Sequence, residues 1–209
     1  MDPIRNGLET KELFMALIDN KENIFSKKIE LDTYILINEI DDFELINKLI
    51  LKVKEGIKKS NVSRKTNVKG EHTEFDYLVT DPNFHKFLKI IQPSIYKIYQ
   101  KNFTLKDVWG NIYKENDYAK IHTHDNSAFC GILYCTDGPG PGTYFNQYDL
   151  NVNEKKGKFV LFHPRLLHEV KPYNYKEERI TIAWNFGETH DWDNNHNTYF
   201  IKPDKNITL

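Results

Sequence analysis

The sequence has few of the features that mark secreted or membrane-spanning proteins. It contains only two cysteines, Cys130 and Cys135. These positions point to opposite faces of one extended strand, so a disulfide between them is not expected. The N-terminal segment has no apolar signal core, and no apolar run approaches the roughly 20 residues of a membrane span. We therefore expect a cytoplasmic protein with no membrane partner.

The charge balance is close to neutral, with a net charge of -1. A chain with so little excess charge does not draw nucleic acid or acidic membranes to itself by its overall field, so a nucleic-acid partner is not expected. No internal repeat or low-complexity tract is present. We also find no Ser/His/Asp or Cys/His arrangement typical of nucleophilic catalysis.

The first part of the chain predicts a short lead followed by two amphipathic helices. Residues 1–32 are mostly polar, and a helical apolar stripe predicts one short helix from Glu9 to Asp19. Thr33–Ile40 is apolar and predicts a strand. Helices are predicted over 43–58, after a capping aspartate, and from Pro82 to about residue 100. Residues 33–209 are expected to form one domain in which these helices brace a sheet.

From Leu105 onward the pattern changes to short alternating apolar runs separated by turns, which is typical of a β-sandwich or barrel. The predicted strands are 105–114, 118–124, 128–135, 143–148, 158–162, 168–171 and 179–186. The fold class is therefore α+β and mainly β, with the β core at about 103–186.

Three histidines stand out within this β-rich region. His122 and His124 alternate with Thr123, so they point to the same side of a strand, with β-carbons roughly 6–7 Å apart. Asp125 then falls on the other side unless the following turn begins early. His168 follows a later strand. Two imidazoles at this spacing can chelate one metal ion. The H-x-H pair followed by His168 is a far more specific signal for a metal site than the pair or the single histidine alone.

Arg179 begins an apolar strand on which Arg179, Thr181, Ala183 and Asn185 share one face. An arginine that points inward from such a strand needs a partner. A carboxylate is the natural one, because the guanidinium binds it through two parallel hydrogen bonds.

These segments resemble a 2-oxoglutarate–Fe(II) oxygenase family found in bacteria and phages. His122–Cys135 (HTHDNSAFCGILYC) is similar to its H-x-H-x-N…SG-x-YY segment, and Trp109–Ile112 to its W-x-N-I strand. Residues 157–170 resemble its G-x-LVLF-P…H-x-V block, and Arg179–Asn185 (RITIAWN) its RISIAFN strand.

The resemblance implies a double-stranded β-helix, or jelly roll. It implies that the chain is an oxidoreductase that uses Fe(II), 2-oxoglutarate and O₂ to hydroxylate a small-molecule or peptidyl substrate, with release of succinate and CO₂. If a phage encodes the chain, the host cytoplasm is its location. The implied metal ligands are His122 and His168. The second ligand is an acidic residue in the wider superfamily; here His124 takes that position, with Asp125 as the alternative.

The same resemblance implies that Arg179 binds the distal carboxylate of 2-oxoglutarate. Thr181 and either Tyr134 or Tyr113 would assist it. Strand alternation places Asn111 and Tyr113 on one face with Trp109, so both are candidates for lining the pocket.

Two other interpretations stay open at this level. A cupin-like three-histidine metal dioxygenase or small-molecule-binding protein also fits the histidine pattern. However, this chain lacks the glutamate that such proteins usually have shortly after H-x-H. The cupin-like interpretation also gives Arg179 and Thr181 no role. A structural jelly-roll module with a vestigial site is the non-enzymatic alternative.

Overall fold

The computed structural model describes most of the chain between residues 16 and 188. The described ranges are 16–19, 22–26, 34–60, 66–98, 103–124 and 126–188. Side chains are described from Tyr34 onward within these ranges, apart from residues 97, 98 and 188.

The described residues form thirteen strands and two α-helices. The strands in the first half are β1 (Ala16–Asp19), β2 (Glu22–Ser26), β3 (Ile35–Glu39), β4 (Val68–Lys69), β5 (Glu71–His72), β6 (Phe103–Tyr113) and β7 (Tyr118–His122). The later strands are β8 (Phe129–Tyr134), β9 (Thr143–Phe145), β10 (Leu150–Val152), β11 (Lys158–Phe162), β12 (His168–Val170) and β13 (Arg179–Glu188). The helices are α1 (Phe43–Lys59) and α2 (Pro82–Ile98).

Within the described ranges, the strands form two sheets that face each other as in a jelly roll. The large sheet has eight strands in the order β1-β2-β3-β11-β8-β13-β6-β5, and the small sheet has five in the order β10-β9-β12-β7-β4. All the pairings are antiparallel. This confirms the predicted α+β, mainly β class and the double-stranded β-helix.

Both helices pack on the outer face of the large sheet, as predicted. Asp42 caps α1 through its side chain, which accepts a hydrogen bond from Leu45 N–H at 3.0 Å. Asp81 does the same for α2 by accepting from Asn83 and Phe84. The helix α2 continues through Pro93. Alternate β13 residues, from Ile180 to Phe186, join the helices in one buried apolar cluster.

A tight turn before β11 depends on a glycine. Gly157 has φ +88°, and a Cβ there would lie 2.2 Å from the Ile40 carbonyl oxygen. Only a residue without a side chain adopts that conformation at so close an approach. The turn lets β11 pair with β3 on one side and β8 on the other.

The predicted helix from Glu9 to Asp19 is wrong over its last residues. Ala16–Asp19 is a strand that pairs with Glu22–Ser26, and the rest of the prediction lies outside the described residues. A short apolar stripe fits both the helical and the strand period, and pairing within the sheet makes this segment a strand. Two predicted strands are also shorter than expected: β7 ends at His122, and β9 gives way to a 3₁₀ turn over Asn146–Tyr148.

Neither helix, nor any other helix in the described ranges, has the length and apolar character needed to span a bilayer. Both cysteines are buried and free, as expected. Cys130 lies in the cluster between the sheets and Cys135 in the cluster under the helices, so strand alternation separates them.

Candidate active site

Three imidazole rings converge at one end of the space between the sheets. His122 ends β7 and His168 begins β12, and the two residues are direct partners in the antiparallel register. His124 lies two residues beyond the strand, with its Nε2 3.3 Å from Nε2 of His168. One potential ligand atom from each ring lies within 4.8 Å of those of the other two. Such spacing fits three nitrogens around a single ion.

Backbone carbonyls hold two of these rings through the nitrogen on the far side. Nδ1 of His168 lies 2.8 Å from the Leu166 carbonyl oxygen, and Nδ1 of His122 lies 2.7 Å from that of Lys120. A neutral imidazole that donates from Nδ1 to a carbonyl presents the lone pair of Nε2. This is the usual way in which a protein fixes the orientation of a metal-binding histidine.

The surroundings keep the three rings uncharged at neutral pH. Burial lowers the pKa of His168 to about 3, with the nearby His122 as the second cause. Burial also lowers the pKa of His124 to about 4. The pKa of His122 is lowered by burial as well. Neutral imidazole is the form that binds metal.

His124 is held by an aromatic wall. Its ring stacks on Trp109 at a centroid distance of 6.3 Å and lies parallel to the His168 ring at 5.1 Å. Its backbone N–H donates to the Pro164 carbonyl at 2.9 Å, which fixes the chain just after β7 ends. Asp125, the alternative second ligand, lies outside the described residues.

The strands β6 and β13 present a ladder of paired side chains to the same space. Arg179 pairs with Tyr113, Thr181 with Asn111, Ala183 with Trp109, and Asn185 with Asp107. Because alternate residues share a face, the predicted inward set of β13 lies opposite the inward set of β6. The predicted face assignments for both strands are therefore confirmed.

Arg179 lies at one end of this ladder and is 1% exposed. Its guanidinium carbon lies 5.1 Å from the ring centroid of Tyr113 and 5.4 Å from that of Tyr134. One terminal nitrogen donates to the Pro141 carbonyl at 3.2 Å. Its Nε has no hydrogen-bond partner among the described residues. A buried guanidinium with unsatisfied hydrogen-bond donors is suited to bind an anion.

The other predicted co-substrate residues surround the guanidinium in different ways. Asn111 Nδ2 lies 3.4 Å from Thr181 Oγ1, and the amide oxygen of Asn111 has no partner in the described part of the chain. Burial raises the pKa of Tyr113 to about 12, so its phenol stays protonated. Tyr134 donates its hydroxyl to Thr143 at 2.8 Å, which leaves its ring as the contact with Arg179.

Glu154 is a buried carboxylate that sequence reasoning missed. One oxygen accepts from Thr136 at 2.9 Å, and the other lies 3.9 Å from Arg179 Nε. Burial raises the pKa of Glu154, and the Arg179 charge partly offsets this. Glu154 lies between β10 and β11, where the sequence has no hydrophobic periodicity that would indicate an inward side chain.

Two cavities share His122 and His124 in their linings. A narrow one of about 50 Å³ runs between the histidines and Arg179, past Asn111, Tyr113 and Thr181. A wider one of about 350 Å³ is lined by His122 and His124 together with His72, Phe75 and Asp107. Trp109 and Asn111 line both. The site thus has an inner, cationic compartment and an outer, roomier one.

Solved structures with a fold similar to that of this chain include 2-oxoglutarate-dependent oxygenases. No family model matches the chain. No curated protein matches it by sequence. Among solved structures, the viral collagen prolyl hydroxylase of Paramecium Bursaria Chlorella virus-1, solved with 2-oxoglutarate, shares 19% identity over 72% of this chain and 96% of that one, with a TM-score of 0.56.

Two bacterial structures give similar values. A Pseudomonas putida prolyl-4-hydroxylase shares 17% identity over 73% of this chain and 90% of that one, with a TM-score of 0.57. HygX from Streptomyces hygroscopicus, solved with nickel and 2-oxoglutarate, shares 10% identity over 74% and 83%, with a TM-score of 0.56. At these identities the likeness concerns the fold alone, a double-stranded β-helix.

Proposed function

We propose that the chain is a non-haem Fe(II), 2-oxoglutarate-dependent oxygenase that hydroxylates an organic substrate. The observation that carries the proposal is that three neutral imidazoles and one buried guanidinium line the same narrow cavity. The balanced reaction converts a C–H bond, O₂ and 2-oxoglutarate into C–OH, succinate and CO₂. Two of the four electrons that reduce O₂ come from 2-oxoglutarate, and two come from the C–H bond.

His122, His124 and His168 would hold the metal. Three ligands on one side of an ion leave positions open for a bidentate co-substrate and O₂, an arrangement linked to non-haem iron oxygenases. Bound iron would supply the coupling of O₂ reduction to decarboxylation. Where many such sites have a carboxylate, this chain has His124, so the ligand set we propose is neutral. The doubly negative co-substrate would then balance the charge of the ion.

Arg179 would bind the distal carboxylate of 2-oxoglutarate. Its Nε–H, which makes no hydrogen bond within the described ranges although Glu154 lies 3.9 Å away, and its position between two tyrosine rings favour a flat anion over water. Thr181 and Asn111 add hydrogen-bonding groups beside it, and the unpartnered amide oxygen of Asn111 is available to a donor. Tyr113 stays protonated, so its phenol can donate a hydrogen bond without placing a second negative charge beside the carboxylate.

The chain also has to keep water from the reaction. Phe162 and Phe145 pack their rings against His168, at centroid distances of 4.8 and 5.9 Å. These rings cover one side of His168 and keep water from it, and the outer cavity would be the entrance for the substrate. We also propose a reducing compartment, the cytoplasm, because both cysteines are free.

The test is an anaerobic titration of the purified protein with Fe(II) and 2-oxoglutarate, followed by visible absorption. A charge-transfer band that requires both additions supports the proposal. Metal binding that is indifferent to 2-oxoglutarate would favour a cupin-like site instead. Absence of metal binding would favour a structural module. The variant His168→Ala should remove the band, and Arg165→Ala, at an exposed loop position, is the matched control that should keep it.

A further inference from the structure

We propose that the substrate carries a positively charged nitrogen, as an ammonium or guanidinium group, that binds Asp107 in the outer cavity. This inference rests on the proposed function, since it identifies the class of substrate for the same site. It begins from the unequal charge of the two cavities, which share His122 and His124 in their linings.

The ladder of β6 and β13 has opposite charges at its two ends. Arg179 lies at the inner end, and Asp107 lies across from Asn185 at the outer end. Trp109, whose ring stacks on His124, occupies the position between them, two residues from Asp107. By the strand rise, Asp107 therefore lies roughly 7 Å along the ladder from the level of the histidines. A group bound there is within a few bonds of a carbon placed at the metal.

Asp107 is half-buried and lacks a cationic partner within the described ranges. Its Oδ2 accepts from the Asn185 amide at 3.2 Å, which holds the carboxylate in place. No lysine or arginine in these ranges forms an ion pair with it. Histidines apart, it is the charged residue among those that line the outer cavity. A partly buried carboxylate in a cleft gains most from a bound cation.

The aromatic side chains of the same cavity provide a surface for the rest of a cationic group. Phe75 packs edge-on against Trp109 at 5.1 Å, and His72 lies 5.6 Å from Phe75. Phe75 lines the outer cavity and is 38% exposed, so its ring is accessible to a bound group. Aromatic faces attract ammonium and guanidinium groups and cover the methylenes next to them.

The experiment uses full-length protein loaded with Zn(II), a redox-inactive substitute, and 2-oxoglutarate. Calorimetry would compare Nα-acetyl-lysine methylamide and Nα-acetyl-arginine methylamide with Nα-acetyl-norleucine methylamide, which has a similar shape without the charge. We expect the charged probes to bind about tenfold more tightly, from one partly exposed ion pair and one cation–π contact. The indole N–H resonance of Trp109, assigned with Trp109→Phe, should shift on binding.

Two variants separate a local effect from a general effect of charge. Asp107→Asn should abolish the preference for the charged probes. Asp76→Asn removes the same charge from an exposed turn position next to Phe75 and should keep the preference. Equal binding of the norleucine probe, or an unchanged preference in Asp107→Asn, would overturn the inference. Failure of the loaded wild type to bind 2-oxoglutarate would instead count against the proposed function.

Discussion

Removal of the Arg179 charge should weaken 2-oxoglutarate binding without affecting the metal, provided that its neighbour Glu154 is neutralised too. Arg179→Ala alone would leave the Glu154 carboxylate buried without a counter-ion, which typically costs about 3–5 kcal/mol of folding free energy. Weak binding by that variant would then be ambiguous. Glu154→Gln combined with Arg179→Gln removes both charges together and preserves the approximate size of Glu154.

The magnitude follows from the hydrogen bonds that a guanidinium makes to a carboxylate. Two charge-assisted bonds contribute about 1.5–3 kcal/mol each, so their loss should be about 3 kcal/mol or more. At 1.4 kcal/mol for each factor of ten, the dissociation constant should rise about 100-fold or more. Glu154→Gln alone should bind 2-oxoglutarate at least as well as the wild type, because an anion next to Arg179 is gone.

The assay is calorimetric titration of 2-oxoglutarate into Ni(II)-loaded protein in air, with Ni(II) binding measured separately. The comparison is between Glu154→Gln and the double variant, with Arg165→Gln as a control for loss of an exposed arginine. Equal affinity for 2-oxoglutarate in the single and double variants would refute the role of Arg179. A parallel loss of Ni(II) binding would show that the substitutions act on the metal cluster or on the fold.

Three further outcomes are expected. His124→Ala should lower metal affinity about 100-fold or more, beyond the usual cost of losing a supporting residue, whereas His124→Asp should keep the metal and Asp125→Ala should change little. Trp184→Ala should lower the free energy of unfolding, measured in urea, by about 3–5 kcal/mol, because Trp184 is fully buried against α2. The control Leu51→Ala, at a 68% exposed position, should lower it by less than about 0.5 kcal/mol. Glu154→Gln should flatten the pH dependence of stability. Since burial raises the folded pKa of Glu154, its contribution is full below the ordinary carboxyl range and is lost as pH rises through the folded pKa.

Each of these has a result that contradicts it. A large metal loss in Asp125→Ala, with His124→Ala unaffected, would exchange the two as second ligand. Equal destabilisation by Trp184→Ala and Leu51→Ala would mean that the helices do not depend on the packing under them. Identical pH profiles for wild type and Glu154→Gln, measured by urea denaturation, would show that Glu154 does not titrate in that range.

Strand alternation explains why so much of the site was predictable from the sequence. The side-chain period of a strand is two, so the shared face of Arg179, Thr181 and Asn185 followed directly from their spacing. The histidines were recognised by the same reasoning, even though β7 ends at His122 and His124 lies beyond it. The same alternation put Asp107 on the face of Trp109, a signal that was present in the sequence but given no role.

The parts that could not be predicted depend on contacts between distant segments. Glu154 lies in a short polar connection, and only the folded chain brings its carboxylate to Arg179. The pairing of Asp107 with Asn185 depends on the register of β6 and β13, which no local pattern encodes. The predicted helix from Glu9 to Asp19 is wrong at Ala16–Asp19, because a short apolar stripe fits both the helical and the strand period and pairing with β2 makes this segment a strand.

Because His122 pairs directly with His168, the proposed metal ion would link two strands of the small sheet. β12 has only three residues, and its register with β7 is irregular after His168. An ion held by both rings would join the two strands at the point where their hydrogen bonding is least regular. Under the proposed function, iron supply would then affect how firmly these two strands are held together, as well as the activity.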